Sequence, residues 1–210
     1  IPGADLGQSI ALSLTRDSGE MDLTWFYHIY PLMRQGLLEP IDAFIKDPVL
    51  TPPAWNFADY MRAPLEMGAT NGRQYSLCVT ANAMGLYYRT DKLSAAGFVD
   101  GEGSVQPPLS WDEVMRYAET MNTDRDRPLL LMYSPGSTQL TMMWLSMWLS
   151  QDYTHIWDET GRCIVNNADG VAAARLLKRL RKWASPTCLT WDFPEAHAAF
   201  QLNKGSMFPN

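Results

Sequence analysis

Strand-like and helix-like stretches take turns along this chain, with only short linkers between them. Strands separated by a helix cannot close as hairpins, so this order predicts an α/β architecture with mostly parallel pairing. Leu6, Ile10 and Leu14 make an i, i+4, i+8 stripe that stops near Gly19, and residues 21–26 (MDLTWF) follow as a short buried strand. Residues 31–42 predict a short helix broken at Gly36, with Leu37, Leu38 and Ile41 returning to the core. Trp55 to Met67 predicts a helix that Pro64 ends or bends early, and Asn71-Gly72 a tight turn feeding a strand over 74–79.

Thr90 or Asp91 can cap a short helix that closes at Gly97. Ser110 with Glu113 three residues later forms a capping box in front of an apolar stripe of Trp111, Val114, Met115, Ala118 and Met121. Residues 128–132 (PLLLM) read as a buried strand, then a polar loop leads into a helix of about 139–150 carrying Leu140, Met143, Trp144, Met147 and Trp148. Residues 161–165 predict a short strand, Asn167 a cap, and 168–183 a helix with Val171, Ala174, Leu177 and Leu180 on its apolar face. Residues 195–210 read as a short helix and the start of a strand. Ligands in such sheets bind beyond the carboxyl ends of strands, which singles out Trp25 to His28 and Tyr133 to Gln139.

At 210 residues and 46% hydrophobic, the chain can bury a real core as one large domain or two small ones. Its net charge of −6 argues against nucleic acid or an anionic membrane surface as a partner. The densest basic run, Arg175, Lys178, Arg179, Arg181 and Lys182, reads as the solvated face of the last long helix. Cys78, Cys163 and Cys188 have no metal-ligand spacing, so neither a metal site nor a cofactor is expected; a Cys163–Cys188 disulfide is an open alternative. No apolar run reaches a membrane span's 18–20 or so residues, and no secretory leader opens the chain. Eight Trp and nine Tyr combine flat apolar faces with polar edges, which suits hydroxyl-rich ligands such as sugars.

Catalytic motifs are missing: there is no G-x-S-x-G elbow, phosphate loop, dinucleotide fingerprint or H-E-x-x-H. His28, His155 and His197 lie far apart and form no dyad with Ser or Cys. Paired carboxylates for glycoside hydrolysis would have to come from Asp22, Asp59 and Asp192, which are scattered among caps and turns.

One stretch resists the strand-and-turn reading. Residues 73–93, RQYSLCVTANAMGLYYRTDKL, hold two strand-like runs around Thr80-Ala81-Asn82-Ala83, with neither Pro nor Asn-Gly in the middle to make a turn. Together with MDLTWFYHIYPLMRQGLLEPID, PPLSWDEVMRYAETM and AAFQLNKGSMF, in that order, this stretch resembles the extracellular solute-binding proteins of the sugar-binding type that serve ABC importers, the maltose-binding-protein-like family.

The resemblance implies a two-lobed, hinge-linked, type II periplasmic-binding-protein-like fold, each lobe a mixed, mostly parallel sheet flanked by helices. Family members are roughly twice as long. Residues 1–81 are then part of lobe 1 and 82–210 part of lobe 2, with a crossing at about 79–86 and the carboxy-terminal half of the family fold missing. In that crossing Val79 joins one core, Leu86 the other, and Thr80 and Asn82 face the cleft. The implied ligand-binding residues are Trp25, Tyr27, His28, Thr80, Asn82, Tyr133, Ser137, Gln139, Thr141 and Trp144, with Trp191 and Asp192 as further members. The implied role is capture of a mono- or oligosaccharide or polyol, without chemistry, by a periplasmic or extracellular monomer that delivers it to membrane permease subunits, lipid anchoring being open. The alternatives are a glycoside-acting α/β hydrolase and a binding protein for a non-sugar solute.

Overall fold

Asn71 and Gly72 both adopt positive φ, 51° and 71°, as the two central residues of a type I′ turn must. They close a two-stranded antiparallel hairpin of β1 (Ala69–Thr70) and β2 (Arg73–Gln74), in register Ala69 to Gln74 and Thr70 to Arg73. The computed structural model describes all residues except 1–9, 11, 17–21, 26–28, 81, 124–125 and 136. It divides the chain into two units, Ile1–Asn82 and Ala83–Asn210.

In the first unit, Ile10 and residues 12–15 are helical and Ile10 is fully buried. Helix α1 (Ile29–Arg34) buries Leu32 and Met33 and ends before Gly36, whose φ of 69° only glycine adopts freely. Helix α2 (Asp42–Lys46) and helix α3 (Arg62–Met67) follow. Pro64, predicted to end or bend a helix, is the third residue of α3, inside the first turn, where its missing N–H removes nothing from the hydrogen-bond ladder. Gln74 ties the hairpin down: its N–H donates to Asp42 Oδ2 at 3.1 Å and its Nε2 to Leu65 O at 3.1 Å and Ser76 O at 2.6 Å. A Cβ on Gly68 would sit 2.5 Å from Ser76 Oγ, so glycine is what admits this close crossing.

Two expected strands of this unit do not form. Residues 22–25 are irregular with Leu23 93% exposed, and the strand predicted over 74–79 stops at Gln74. An apolar alternation becomes a strand only where another strand takes its ladder bonds; the β1 ladder ends opposite Gln74, and no described residue bridges to 75–79 or to 22–25. Val79, expected in a core, is 77% exposed.

The second unit is built on β3 (Leu86–Tyr88), antiparallel to β4 (Met207–Pro209), with Leu86 opposite Pro209 and Tyr88 opposite Met207. Residues 129–132 run fully buried alongside, Leu129 bridging in parallel to both Met207 and Ala184. An unbroken apolar run is what a segment covered on both faces needs. Leu86, half-buried, packs against this core.

Helices surround it: α4 (Thr90–Ala95), α5 (Trp111–Met121), α6 (Thr138–Leu149), α7 (Ala168–Leu180) and α8 (Phe193–Gln201). Ser110 Oγ accepts from Glu113 N at 3.2 Å, while the Glu113 carboxylate accepts from Leu109 N at 2.7 Å, so the predicted box closes one residue early. Asn167 caps α7 by accepting from Gly170 N at 2.8 Å. The buried face of α7 is Gly170, Ala173, Leu177 and Leu180; Val171 and Ala174, expected inside, are exposed. Gly170 accounts for the rotation, since a Cβ there would meet Val165 O at 2.1 Å and only a bare Cα allows that approach. Of residues 161–165 only Cys163 pairs, in an antiparallel bridge to Trp157, and all three cysteines are free thiols.

Candidate functional site

Parallel pairing decides which loops meet. Met207 N donates to Pro128 O and Leu130 N to Met207 O, at 2.9 and 3.0 Å, so β4 and the buried 129–132 segment point the same way. Their carboxyl ends, Asn210 and the loop from Tyr133, therefore emerge on one edge of the sheet. The chain after Ala184 joins them there, Tyr133 N donating to Cys188 O and Ser134 N to Trp191 O, both at 3.0 Å.

Two helix starts converge on this edge. Ser137 is the N-cap of α6, its Oγ accepting from Gln139 N at 3.0 Å, and Asp192 is the N-cap of α8, its Oδ1 accepting from Phe193 N at 2.9 Å. Ser137 Oγ donates to the same Asp192 oxygen at 2.7 Å. Glu195 completes a capping box by accepting from Asp192 N at 3.0 Å. Ser137 is buried while Gln139, Trp191 and Asp192 are half-buried, so a constrained hydroxyl, an amide, an indole and a carboxylate share one edge.

Tyr133, Thr141 and Trp144 turn elsewhere. They line a groove of about 520 Å³ along the α6–α7 seam, with Leu140, Leu177 and Lys178. The polar handle of each aromatic is already engaged by α7: the Tyr133 hydroxyl donates to Leu177 O and Trp144 Nε1 to Gly170 O, the latter at 3.1 Å. Burial holds the Tyr133 phenol well above the usual tyrosine range, with the neighbouring Cys188 adding to the shift. The Cys188 thiol is raised in turn by its own burial. These two groups are therefore neutral hydrogen-bonding and packing groups rather than nucleophiles.

In the first unit Trp25 is 53% exposed, and Thr80 and Asn82 are exposed, with the Thr80 carbonyl accepting from Cys78 Sγ at 2.9 Å. Tyr27 and His28 lie outside the described residues. Among the described residues no group of three His, Cys, Asp or Glu could hold a metal ion. The sequence offered His197 only as a histidine without a dyad partner and did not single out Asn210, yet Asn210 lies on the same edge with its side chain 3.3 Å from His197. No local signal marks that pair, because they meet only through the packing of α8 on β4.

A family model described as bacterial extracellular solute-binding protein matches residues 1–210. No curated protein matches. Among solved structures, the ABC transporter solute-binding protein from Agrobacterium radiobacter K84 in complex with ribitol is similar at a TM-score of 0.81 and 16% identity, over 99% of this chain and 50% of that one. Maltose-bound T. maritima MalE3 is similar at 0.80 and 18% identity, over 99% and 50%. The solute-binding protein from Agrobacterium vitis S4 with bound D-mannitol gives 0.75 and 19%, over 98% and 48%. The chain thus spans about half the length of the solved structures it matches, and at these identities the likeness establishes the two-lobed type II fold.

Proposed function

The chain belongs to the bacterial extracellular solute-binding protein family, and from that premise we propose that it captures a neutral polyhydroxylated solute, a sugar or polyol, for import by an ABC transporter. The observation that carries this reading is the Ser137–Asp192 bond of 2.7 Å at the sheet's carboxyl edge. It fixes a hydroxyl and a carboxylate side by side where α/β proteins bind ligands, one residue along the chain from Trp191. Rigid hydrogen-bonding groups next to an aromatic face suit a ring or chain of hydroxyls. Ligands bound by similar proteins, ribitol, D-mannitol and maltose among them, belong to the same chemical class.

In this proposal the units Ile1–Asn82 and Ala83–Asn210 are parts of the two lobes. Trp25, Tyr27, His28, Thr80 and Asn82 are the first unit's contact residues, and Ser137, Gln139, Trp191 and Asp192 lead those of the second. Tyr133, Thr141 and Trp144 remain contact candidates only through the ring faces and the hydroxyl that line the α6–α7 groove. The protein acts outside the cytoplasm, hands its ligand to a membrane permease, and binds without catalysis. Isothermal titration of the full chain with ribitol, D-mannitol, maltose and laminaribiose, followed by chromatography of the recovered ligand, tests this. Binding with unchanged ligand supports the proposal, and turnover or failure to bind all four sinks it.

A further inference from the structure

Asn210 continues the β3–β4 ladder one step beyond Pro209: its N–H donates to Gly85 O at 2.9 Å and its carbonyl accepts from Gly85 N at 2.8 Å. Its backbone is thus as firmly placed as a strand residue. The side chain reaches across to α8, with Nδ2 lying 3.3 Å from His197 Nε2. His197 has little freedom to choose its direction. Phe193, one turn earlier on α8, lies over the imidazole with ring centroids 4.0 Å apart, and Phe208 of β4 meets it edge-on at 5.1 Å.

The chemistry of the contact assigns the protons. With Nδ2 placed toward the ring, the carboxamide NH2 can donate but not accept, so this arrangement requires Nε2 to be the accepting nitrogen. Neutral His197 then carries its proton on Nδ1 and accepts at Nε2. One Nδ2 hydrogen is spent on the ring, and the planar amide is held with Oδ1 turned to its other side. Asn210 is half-buried on the edge that also presents Ser137 and Asp192.

We propose that Asn210 is a ligand-contacting residue whose Oδ1 accepts a hydrogen bond from a hydroxyl of the polyhydroxylated ligand, and that His197 is the positioning residue that holds the amide in that orientation. This rests on the functional reading above. An amide fixed in advance loses no rotamer freedom on binding, so the bond it makes contributes fully to affinity. A rotating amide would offer its donor and acceptor ends alternately.

The test uses the full chain, titrated with ribitol, D-mannitol and maltose as wild type, N210A, H197F and the double variant. Phenylalanine at position 197 keeps the ring contacts with Phe193 and Phe208 while deleting the nitrogens, so H197F should retain the wild-type melting temperature. We expect N210A and H197F each to weaken binding by roughly three- to tenfold, the range for one hydrogen bond, and the double variant to be no weaker than N210A alone. The imidazole nitrogen chemical shifts of the ligand-free protein should report the Nδ1–H tautomer for His197, and N210A should lose that preference. A wild type that binds none of the three ligands overturns the functional reading and the ligand contact with it. Binding by wild type that N210A leaves undiminished overturns the ligand contact alone. Additive losses in the double variant, or an Nε2–H tautomer in the wild type, overturn the positioning role.

Discussion

Replacing Ser137 by Ala removes one oxygen that serves two partners, and the size of the loss follows from counting them. As N-cap of α6 the hydroxyl accepts from Gln139 N at 3.0 Å, and losing such a cap costs about 1 kcal/mol. As donor to Asp192 at 2.7 Å it makes a hydrogen bond to a charged group, worth about 1.5–3 kcal/mol when fully buried. Ser137 is only 8% exposed, but Asp192 is half-buried and water can replace part of what the carboxylate loses, so the lower end applies. The sum is about 2–3 kcal/mol, or roughly 4–12 °C in melting temperature for a chain of this size. S137T, which keeps the hydroxyl, should lose little.

Urea denaturation of wild type, S137A, D192N and the double variant measures both the total and the coupling. Residues that share a hydrogen bond should couple by at least about 0.5 kcal/mol. A loss in S137A below that value, or losses in S137A and D192N that simply add, would refute the claim that this bond locks the edge together.

Gly205→Ala should destabilise by about 1–3 kcal/mol in the same assay, because its Cβ would lie 2.4 Å from Cγ of the buried Leu130. Gly170→Ala should also destabilise, although alanine favours helices, since its Cβ would meet the Val165 carbonyl at 2.1 Å and backbone cannot step aside as a flexible side chain can. The Asp158 carboxyl is held below its ordinary range by the Thr160 side chain and the Arg162 N–H. A depressed folded-state value contributes stability that is present above the unfolded value of about 3.9 and lost as pH falls through the folded one. Urea midpoints of D158N and wild type should therefore differ at neutral pH and converge in acid. Tyr133 has the opposite sign: its raised value contributes stability below the unfolded value of about 10 that is lost as pH rises, so tyrosinate absorbance from Tyr133 should appear only as the alkaline protein unfolds. A thiol reagent should modify exposed Cys163 in the native protein and reach buried Cys188 only on unfolding, which mass spectrometry of labelled peptides will read.

Features written within a few consecutive residues were legible before any fold was known. The Asn71-Gly72 turn, the Ser110 and Asn167 caps and the stop at Gly97 each depend on bonds or backbone angles inside one turn of chain. The ordered motifs also sufficed to identify the family, because a family's signature is itself a sequence pattern. Features that need a distant partner were not legible. The alternation at 74–79 and the run at 21–26 look like strands, but a ladder requires a second strand, and among the described residues none bridges to the part of the first beyond Gln74 or to the second. The buried face of α7 was misjudged by a fraction of a turn because Gly170 lets Val165 approach, a contact that hydropathy cannot register.

The edge described above divides in the same way. The family resemblance marked Ser137, Gln139, Trp191 and Asp192 individually as implied ligand contacts, Ser137 and Gln139 lying also in the loop after a predicted strand. That the Ser137 hydroxyl meets the Asp192 carboxylate, 55 residues away, follows from the chain after Ala184 running beside 129–134, with Leu129 bridging Ala184 and Ser134 N donating to Trp191 O. The same packing spends the Tyr133 and Trp144 polar groups on α7 carbonyls and brings His197 to Asn210. Short-range hydrogen bonds are specified by neighbours in sequence and so can be read before the fold is known. Long-range ones exist only once buried strands have fixed which chain ends emerge together, and that is a property of the tertiary structure.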